Sequence, residues 1–251
     1  MSEPFQTITG YHAICAAIAS IGPRNPQATL YLHGQGARGE QLERLARSHK
    51  VTVRRVDRRE IERIGGEKAR GAVLVAAQSG PSVRTLNEAI SAVGAPQATV
   101  LVLDHLSDPH NLGAILRSAD QFGVDFVVLP SRRAAGMTDA VLRASAGAAA
   151  VVSTVEVPNV AGALEVLKKA EFWIYGADMT GEPIDRQQLT GRVALVLGSE
   201  GEGLSRLVRD RCDTIVRIPT GGTVDSLNVS VSAGILLYEA SRQQQRFREP
   251  S

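Results

Sequence analysis

Six short apolar runs in the second part of the chain constrain its fold more than any other feature: Thr99 to Leu103, Phe126 to Leu129, Val151 to Val155, Phe172 to Ala177, Val193 to Leu197 and Thr214 to Ile218. A strand with one face in water alternates apolar and polar residues, whereas a strand covered on both faces is apolar throughout. Runs of the second kind, with helical stretches between most of them, predict an α/β fold built on a buried, mainly parallel sheet. Ligands of such sheets bind beyond the carboxyl ends of the strands. The loops at 104–111, 198–203 and 219–228 occupy strand ends of that kind.

The preceding residues read as a separate module. Helices near 11–20, 39–49 and 57–63 alternate with strands near 28–33, 51–56 and 72–77, which predicts a small α/β sandwich over residues 1–78. Gln78-Ser79-Gly80-Pro81-Ser82 is turn-rich and reads as a linker. A short helix then opens at Thr85, where Thr85 and Glu88 form a capping-box pattern, and Gly94-Ala95-Pro96 closes it. The expected division is a module at 1–78, a linker at 79–97 and a second domain at 98–251. With 251 residues, 43% of them hydrophobic, the chain can bury two cores of that size.

Charge separates the modules as well. Residues 1–80 carry 12 Lys and Arg against 7 Asp and Glu, and the remainder carries 16 against 19. The excess concentrates at Arg54-Arg55-Val56-Asp57-Arg58-Arg59, with Arg44, Arg47 and Lys50 nearby, a pattern suited to phosphates or to a solvated face. With four Tyr, five Phe and one Trp, no base-stacking platform is visible. Met1-Ser2-Glu3-Pro4 lacks the basic n-region of a signal peptide, and no apolar run approaches the ~20 residues of a membrane span, so a cytoplasmic protein without a membrane partner is expected. Cys15 and Cys212 have no metal-type spacing and read as ordinary thiols. His105 and His110 flank a loop containing Asp108, but their spacing matches no standard ligand set, so no metal is expected.

Two glycine-rich segments compete for the role of ligand loop. His33-Gly34-Gln35-Gly36-Ala37-Arg38-Gly39 follows a strand, opens a helix and precedes Asp57 by about 20 residues, as a dinucleotide fingerprint asks. Its module of about 80 residues is too short for the two-half dinucleotide fold. Asp57 and Glu60 also read as an N-cap and its box partner. The second segment, Leu197-Gly198-Ser199-Glu200-Gly201-Glu202-Gly203-Leu204, lies in the last quarter of the chain at a strand end.

That second segment is one of three ordered constellations. Before it comes Asn111-Leu112-Gly113-Ala114-Ile115-Leu116-Arg117-Ser118-Ala119-Asp120, and after it comes Ile218-Pro219 through Ser226-Leu227-Asn228-Val229-Ser230-Val231. Together they resemble the three motifs of the SpoU/TrmH family of RNA ribose 2′-O-methyltransferases, within the SPOUT superfamily. Asp108-Pro109-His110-Asn111-Leu112-Gly113 and Glu200-Gly201-Glu202-Gly203 are most similar to the members that methylate guanosine in 23S rRNA. Ile8-Thr9-Gly10-Tyr11-His12-Ala13 followed by a basic sandwich is similar to the ribosomal-protein-like RNA-binding domain of family members acting on rRNA. Thr220 departs from the family, which often has Met there.

The resemblance implies a C-terminal trefoil knot, a homodimer, S-adenosylmethionine as cofactor and an RNA substrate, rRNA rather than tRNA. It implies catalytic roles for Arg117, Asn111, Glu200, Ser226 and Asn228. It also implies a cofactor site at Leu197, Gly198, Gly203, Ile218, Pro219 and Leu227, and RNA contacts from Arg44, Arg54, Arg55, Arg58 and Arg59. A guanidinium is always protonated in proteins, so Arg117 suits gripping a phosphate or stabilising an alkoxide rather than accepting a proton. Arg117 can alternatively be read as a surface residue pairing with Asp120 or Asp104, and Glu200 as a group that only holds its loop. Two other function classes stand beside this one: a dinucleotide-dependent enzyme using Gly34 to Gly39, and a non-catalytic RNA-binding protein on the same fold.

Overall fold

The computed structural model describes residues 5–21, 28–66, 69, 71–77, 85–131, 139–223 and 226–246. The chain divides into two compact units, Met1–Ser82 with Ala146–Val151, and Val83–Ser145 with Val152–Ser251. The turn expected at Gln78 to Ser82 lies outside the described residues.

The first unit contains β1 (Phe5–Thr9), α1 (Tyr11–Ile21), β2 (Thr29–Leu32), α2 (Ala37–Ser48), β3 (Thr52–Arg55), α3 (Arg58–Gly65) and β4 (Ala72–Ala77). Its sheet has the order β1-β4-β2-β3. β4 runs antiparallel to both neighbours, and β2 and β3 are parallel. Ile14, Ile18, Leu30, Leu32, Leu42 and Leu74 fill its core. β1 is an addition to the expected elements; its five residues, Phe-Gln-Thr-Ile-Thr, pair only with β4 at the sheet edge.

The second unit runs α4 (Leu86–Ala92), β5 (Ala98–Leu103), α5 (Pro109–Gln121), β6 (Phe126–Pro130), α6 (Asp139–Ala144), β7 (Thr154–Val157), α7 (Val160–Lys169), β8 (Trp173–Pro183), β9 (Arg192–Leu197), α8 (Arg206–Arg209), β10 (Thr214–Arg217) and α9 (Val229–Gln243). Its six strands, in the order β10-β8-β9-β5-β6-β7, are all parallel. Every residue of β5 and β6 is buried, as the unbroken apolar runs require. The Thr85–Glu88 capping box forms at the head of α4. β7 starts at Thr154, three residues later than expected, because Val151 to Ser153 complete the turn after the short helical segment Ala148–Ala150.

Register places the loops of interest. β5 and β9 are aligned through Leu103 and Leu197, so the segments that leave them start side by side, joined by Asp104 N donating to Leu197 O at 2.8 Å. β8 is longer than expected and bulges: Ile215 of β10 pairs with Gly176, but Val216 pairs with Glu182, so residues 177–181 loop out. Gly181 closes this bulge on the backbone of Ile215 and Val216, where a Cβ would come within 2.5 Å. After β10 at the sheet edge, the chain returns so that α9 packs on α5 and β9.

Candidate active site

Asp108 caps α5 by accepting from His110 N at 2.9 Å, with Pro109 in the first turn, where its missing N–H costs nothing. This cap sets the rotation of the helix and turns Asn111 inward among Leu112, Ile115, Leu116 and Ala119. Gly113 lies against α6, where a Cβ would sit 2.4 Å from that of Ala144. On the second loop, Ser199 and Gly203 exchange two backbone hydrogen bonds of 3.0 and 3.1 Å, with Gly201 at φ 91° and Gly203 at φ 69°. A Cβ on Gly198 would lie 2.0 Å from Gly203 C. The glycine at 198 is therefore required by the closure of its own loop.

Three of the expected residues meet. Asn111 Nδ2 donates to Glu200 Oε1 at 3.0 Å, and Asn228 Nδ2 reaches the same oxygen at 2.7 Å and Asn111 Oδ1 at 3.1 Å. Asn228 also caps α9, its Oδ1 accepting from Ser230 N and Oγ at 2.9 and 2.6 Å. One carboxylate thus ties the start of α5, the glycine loop and the start of α9. Glu200 is thus engaged as a clamp between loops and does not cap the next helix, α8, which opens at Ser205.

Beside this tie is a pocket of about 230 Å³. Ile218, Leu227, Val216 and Leu236 supply apolar wall, and Thr220, Ser226 and Ser232 supply hydroxyls. Pro219 lies exposed between two lining residues, whereas Leu197 is buried in the core beneath the loop. Leu197, Gly198 and Gly203 are absent from the pocket wall; they shape the loop that carries Glu200.

Sequence reading missed Asp178, which the bulge of β8 brings to the pocket wall. Thr180 N and Oγ1 donate to Asp178 Oδ1 at 2.9 and 2.7 Å, and Arg209 forms an ion pair with Oδ2. Burial pushes the carboxyl upward, but the Thr180 bonds and the Arg209 guanidinium outweigh it and hold Asp178 below the usual aspartate value. The available signal was the polar stretch Asp178-Met179-Thr180-Gly181 directly after an apolar strand. Cys212 is an ordinary half-buried thiol, pushed up to about 12 by desolvation.

Arg117 does not join the tie. Six residues beyond Asn111, it is rotated about 240° around the helix and is exposed. It has no ion pair among the described residues: Asp104 accepts from His105 and Ser205, and Asp120 from Gln121, so the expected pairing with either is corrected. In the first unit, Arg55 is bound to Glu43 at 2.6 Å and Arg58 to Glu62 at 2.8 Å. Arg44, Arg54 and Arg59 are exposed and unpaired among the described residues.

The Gly34–Gly39 segment connects β2 of a four-stranded mixed sheet, where β2 is antiparallel to β4, with α2, and Asp57 is occupied as the N-cap of α3 by Glu60 N at 2.8 Å. This arrangement removes the dinucleotide reading. Among the described residues no group of three or more His, Cys, Asp or Glu is disposed to hold a metal ion.

The model of the SpoU rRNA methylase family matches residues 98–238, from the first strand of the six-stranded sheet into its last helix. The chain belongs to this family. The 23S rRNA (guanosine-2′-O-)-methyltransferase RlmB of Xylella fastidiosa is 38% identical to it over 247 residues, covering 97% of this chain and 99% of the relative. Among solved structures, an RNA 2′-O ribose methyltransferase matches with a TM-score of 0.70 at 27% identity, covering 96% of this chain and 89% of that one. The SpoU methyltransferase AviRb from Streptomyces viridochromogenes, in complex with AdoMet, shares the fold with a TM-score of 0.73 at 22% identity, covering 95% and 90%. In this family member, all the residues of the tie and the pocket lie within the matched segment, and the basic residues of the first unit lie outside it.

Proposed function

We propose that the protein transfers the methyl group of S-adenosylmethionine to a ribose 2′-hydroxyl of RNA, with a guanosine of 23S rRNA as target. The observation that carries this reading is the tie of Asn111, Glu200 and Asn228, which places the glycine loop and the start of α9 beside a half-apolar pocket.

The pocket suits the cofactor in chemistry: apolar walls at Ile218 and Leu227 for the base, and the Ser226 and Ser232 hydroxyls with the Asp178 carboxylate for sugar and amine. When bound, the cofactor supplies a methyl group on a sulfonium, a leaving group already activated by its charge. The protein's task is to align the attacking hydroxyl and stabilise charge on it, which requires no metal. Glu200, Asn111 and Asn228 hold the loop geometry, and Ser226 lines the site. Arg117, exposed and without an ion pair among the described residues, grips a phosphate of the target or stabilises the developing alkoxide.

The finer architecture belongs to the same reading. Residues 1–78 form an RNA-binding module through Arg44, Arg54, Arg55, Arg58 and Arg59, and 79–97 link it to the methyltransferase domain at 98–251. The final segment threads a trefoil knot; the return of α9 from the edge strand β10 to α5 and β9 supports this. The protein acts as a cytoplasmic homodimer. Val231, Ile235 and Tyr238 support the dimer: at helical spacing on α9 they are 49%, 37% and 49% exposed, an apolar stripe that a second copy would cover. Among the described residues no helix is long and apolar enough to cross a membrane.

Transfer of labelled methyl from S-adenosylmethionine to unmethylated 23S rRNA, beside the Arg117→Ala variant, tests the function. Incorporation at a guanosine ribose by the parent and its loss in the variant are expected. RNA binding without incorporation would establish the non-catalytic alternative.

A further inference from the structure

The proposed reaction leaves one proton unassigned, and the protein contains a buried acid that the cofactor pocket does not use. Asp104, at the end of the central strand β5, is 1% exposed. Its Oδ2 accepts from Ser205 N at 2.9 Å, and its Oδ1 is 2.6 Å from His105 Nδ1. No lysine or arginine among the described residues forms an ion pair with it. A carboxylate only accepts hydrogen bonds, so the imidazole donates through Nδ1–H, and this fixes the other ring nitrogen, Nε2, as the one that can accept. The His105 side chain is 48% exposed, so the ring is open to solvent although its carboxylate partner is buried.

Two features indicate that this arrangement is built. His105 has φ +61°, a left-handed conformation that a side-chain-bearing residue adopts at a cost and that clusters at functional sites. The dyad also belongs to the framework of the site: Asp104 N donates to Leu197 O next to Gly198, and its carboxylate holds Ser205 just past the loop that carries Glu200. The chain then runs from His105 through the Asp108 cap to Asn111. His105 therefore stands at the same strand end as the Asn111–Glu200–Asn228 tie.

We propose that His105, oriented by Asp104, is the catalytic residue that takes the proton of the ribose 2′-hydroxyl. The proposal rests on the methyl-transfer reading. As the ribose oxygen bonds to the methyl carbon, the carbon–sulfur bond breaks with its electron pair staying on sulfur, and the hydroxyl proton passes to Nε2 to give an imidazolium. Arg117, which cannot accept a proton, keeps the role of stabilising the oxygen's charge. The Asp104–His105 pair does what a buried carboxylate does for a catalytic histidine in general: it sets the tautomer and stabilises the charged ring.

The test uses His105→Gly and His105→Asn in the full-length protein. Glycine relieves the positive φ and leaves a space; asparagine tolerates the same backbone and keeps an N–H for Asp104. Both are expected to lower kcat by about 10²-fold or more, with S-adenosylmethionine affinity by calorimetry and RNA affinity unchanged, and added imidazole is expected to restore turnover to the glycine variant. Independently of activity, ¹⁵N NMR of the parent should show the His105 ring as the Nδ1–H tautomer. The proposal is overturned if the asparagine variant turns over normally, if asparagine rescues the glycine defect while imidazole does not, or if the ring carries its proton on Nε2. A parent protein that transfers no methyl group would instead overturn the function on which the proposal rests.

Discussion

Asn228 Nδ2 donates to Glu200 Oε1 at 2.7 Å, and Asn111 Nδ2 shares that oxygen at 3.0 Å. Removing the carboxylate leaves Asn111 Nδ2 without its acceptor and Asn228 Nδ2 with Asn111 Oδ1 alone. Glu200→Ala is expected to cost about 1 kcal/mol, after discounting for the exposure of Glu200, which corresponds to a Tm lower by about 2–4 °C. Glu200→Gln keeps an oxygen at the same place and should stay close to the parent in scanning calorimetry. A glutamine variant that keeps the parental Tm but loses methyl transfer would show that the charge of Glu200 does more than hold the loop.

Gly198 has no room for a side chain. With Gly203 C only 2.0 Å from the position of a Cβ, and backbone rather than a flexible side chain in the way, Gly198→Ala must open the Ser199–Gly203 pairing. Calorimetric titration is expected to show S-adenosylmethionine affinity falling by an order of magnitude or more, with destabilisation of about 1–3 kcal/mol from the displaced loop. Parental affinity in this variant would separate the loop's shape from the cofactor site.

Arg117 carries its charge without a structural partner among the described residues. Arg117→Ala should leave Tm within about 2 °C, since exposed substitutions of this kind change stability by no more than about 0.5 kcal/mol. Turnover at saturating RNA should fall about 10²-fold or more, as for the loss of one charge-stabilising donor. Arg117→Lys is expected to be defective too, because a point charge does not reproduce a planar two-pronged donor. Near-normal turnover of the lysine variant would sink the assigned role.

The arginines of the first unit that have no ion pair among the described residues predict a salt-dependent contribution to RNA binding. Replacing Arg44, Arg54 and Arg59 together by Ala should weaken RNA binding and reduce the slope of log K against log salt by about 0.7–0.9 per lost phosphate contact. Binding of S-adenosylmethionine should not change. An unaltered salt slope would mean that these residues form only a solvated face.

The apolar stripe on α9 predicts the oligomer. Ile235→Asp puts a charge in its middle and is expected to convert a dimer into a monomer in light scattering after gel filtration, with methyl transfer lost in step. A variant that remains a dimer would show that the two copies meet through another face.

Much of the fold was legible in the chain because it depends on local pattern. Buried parallel strands announce themselves as unbroken apolar runs, and Thr85 and Asp57 cap the helices that follow them, whereas the Asp108 cap of α5 was not read from the chain. Strand order was not legible: β9 lies between β8 and β5, and β10 beyond β8, arrangements that residues distant in sequence decide jointly. The edge strand β1 was missed because a short, half-polar segment becomes a strand only by pairing with β4.

By itself, the sequence determined which polar residues stand at strand ends, in what order, and on which helices, since capping and periodicity are properties of neighbours in the chain. Only the tertiary structure decided which of them meet. Asn111 and Asn228 are 117 residues apart, and Asp104 and Ser205 are 101 apart. Their contacts exist because β5 and β9 pair in register and because α9 returns to α5. The same long-range packing brought Asp178 to the pocket through a bulge that Gly181 permits, and left Arg117 facing solvent. A hydrogen bond needs two groups within about 3 Å, and across a hundred residues that distance is set by strand order and register rather than by spacing in the chain.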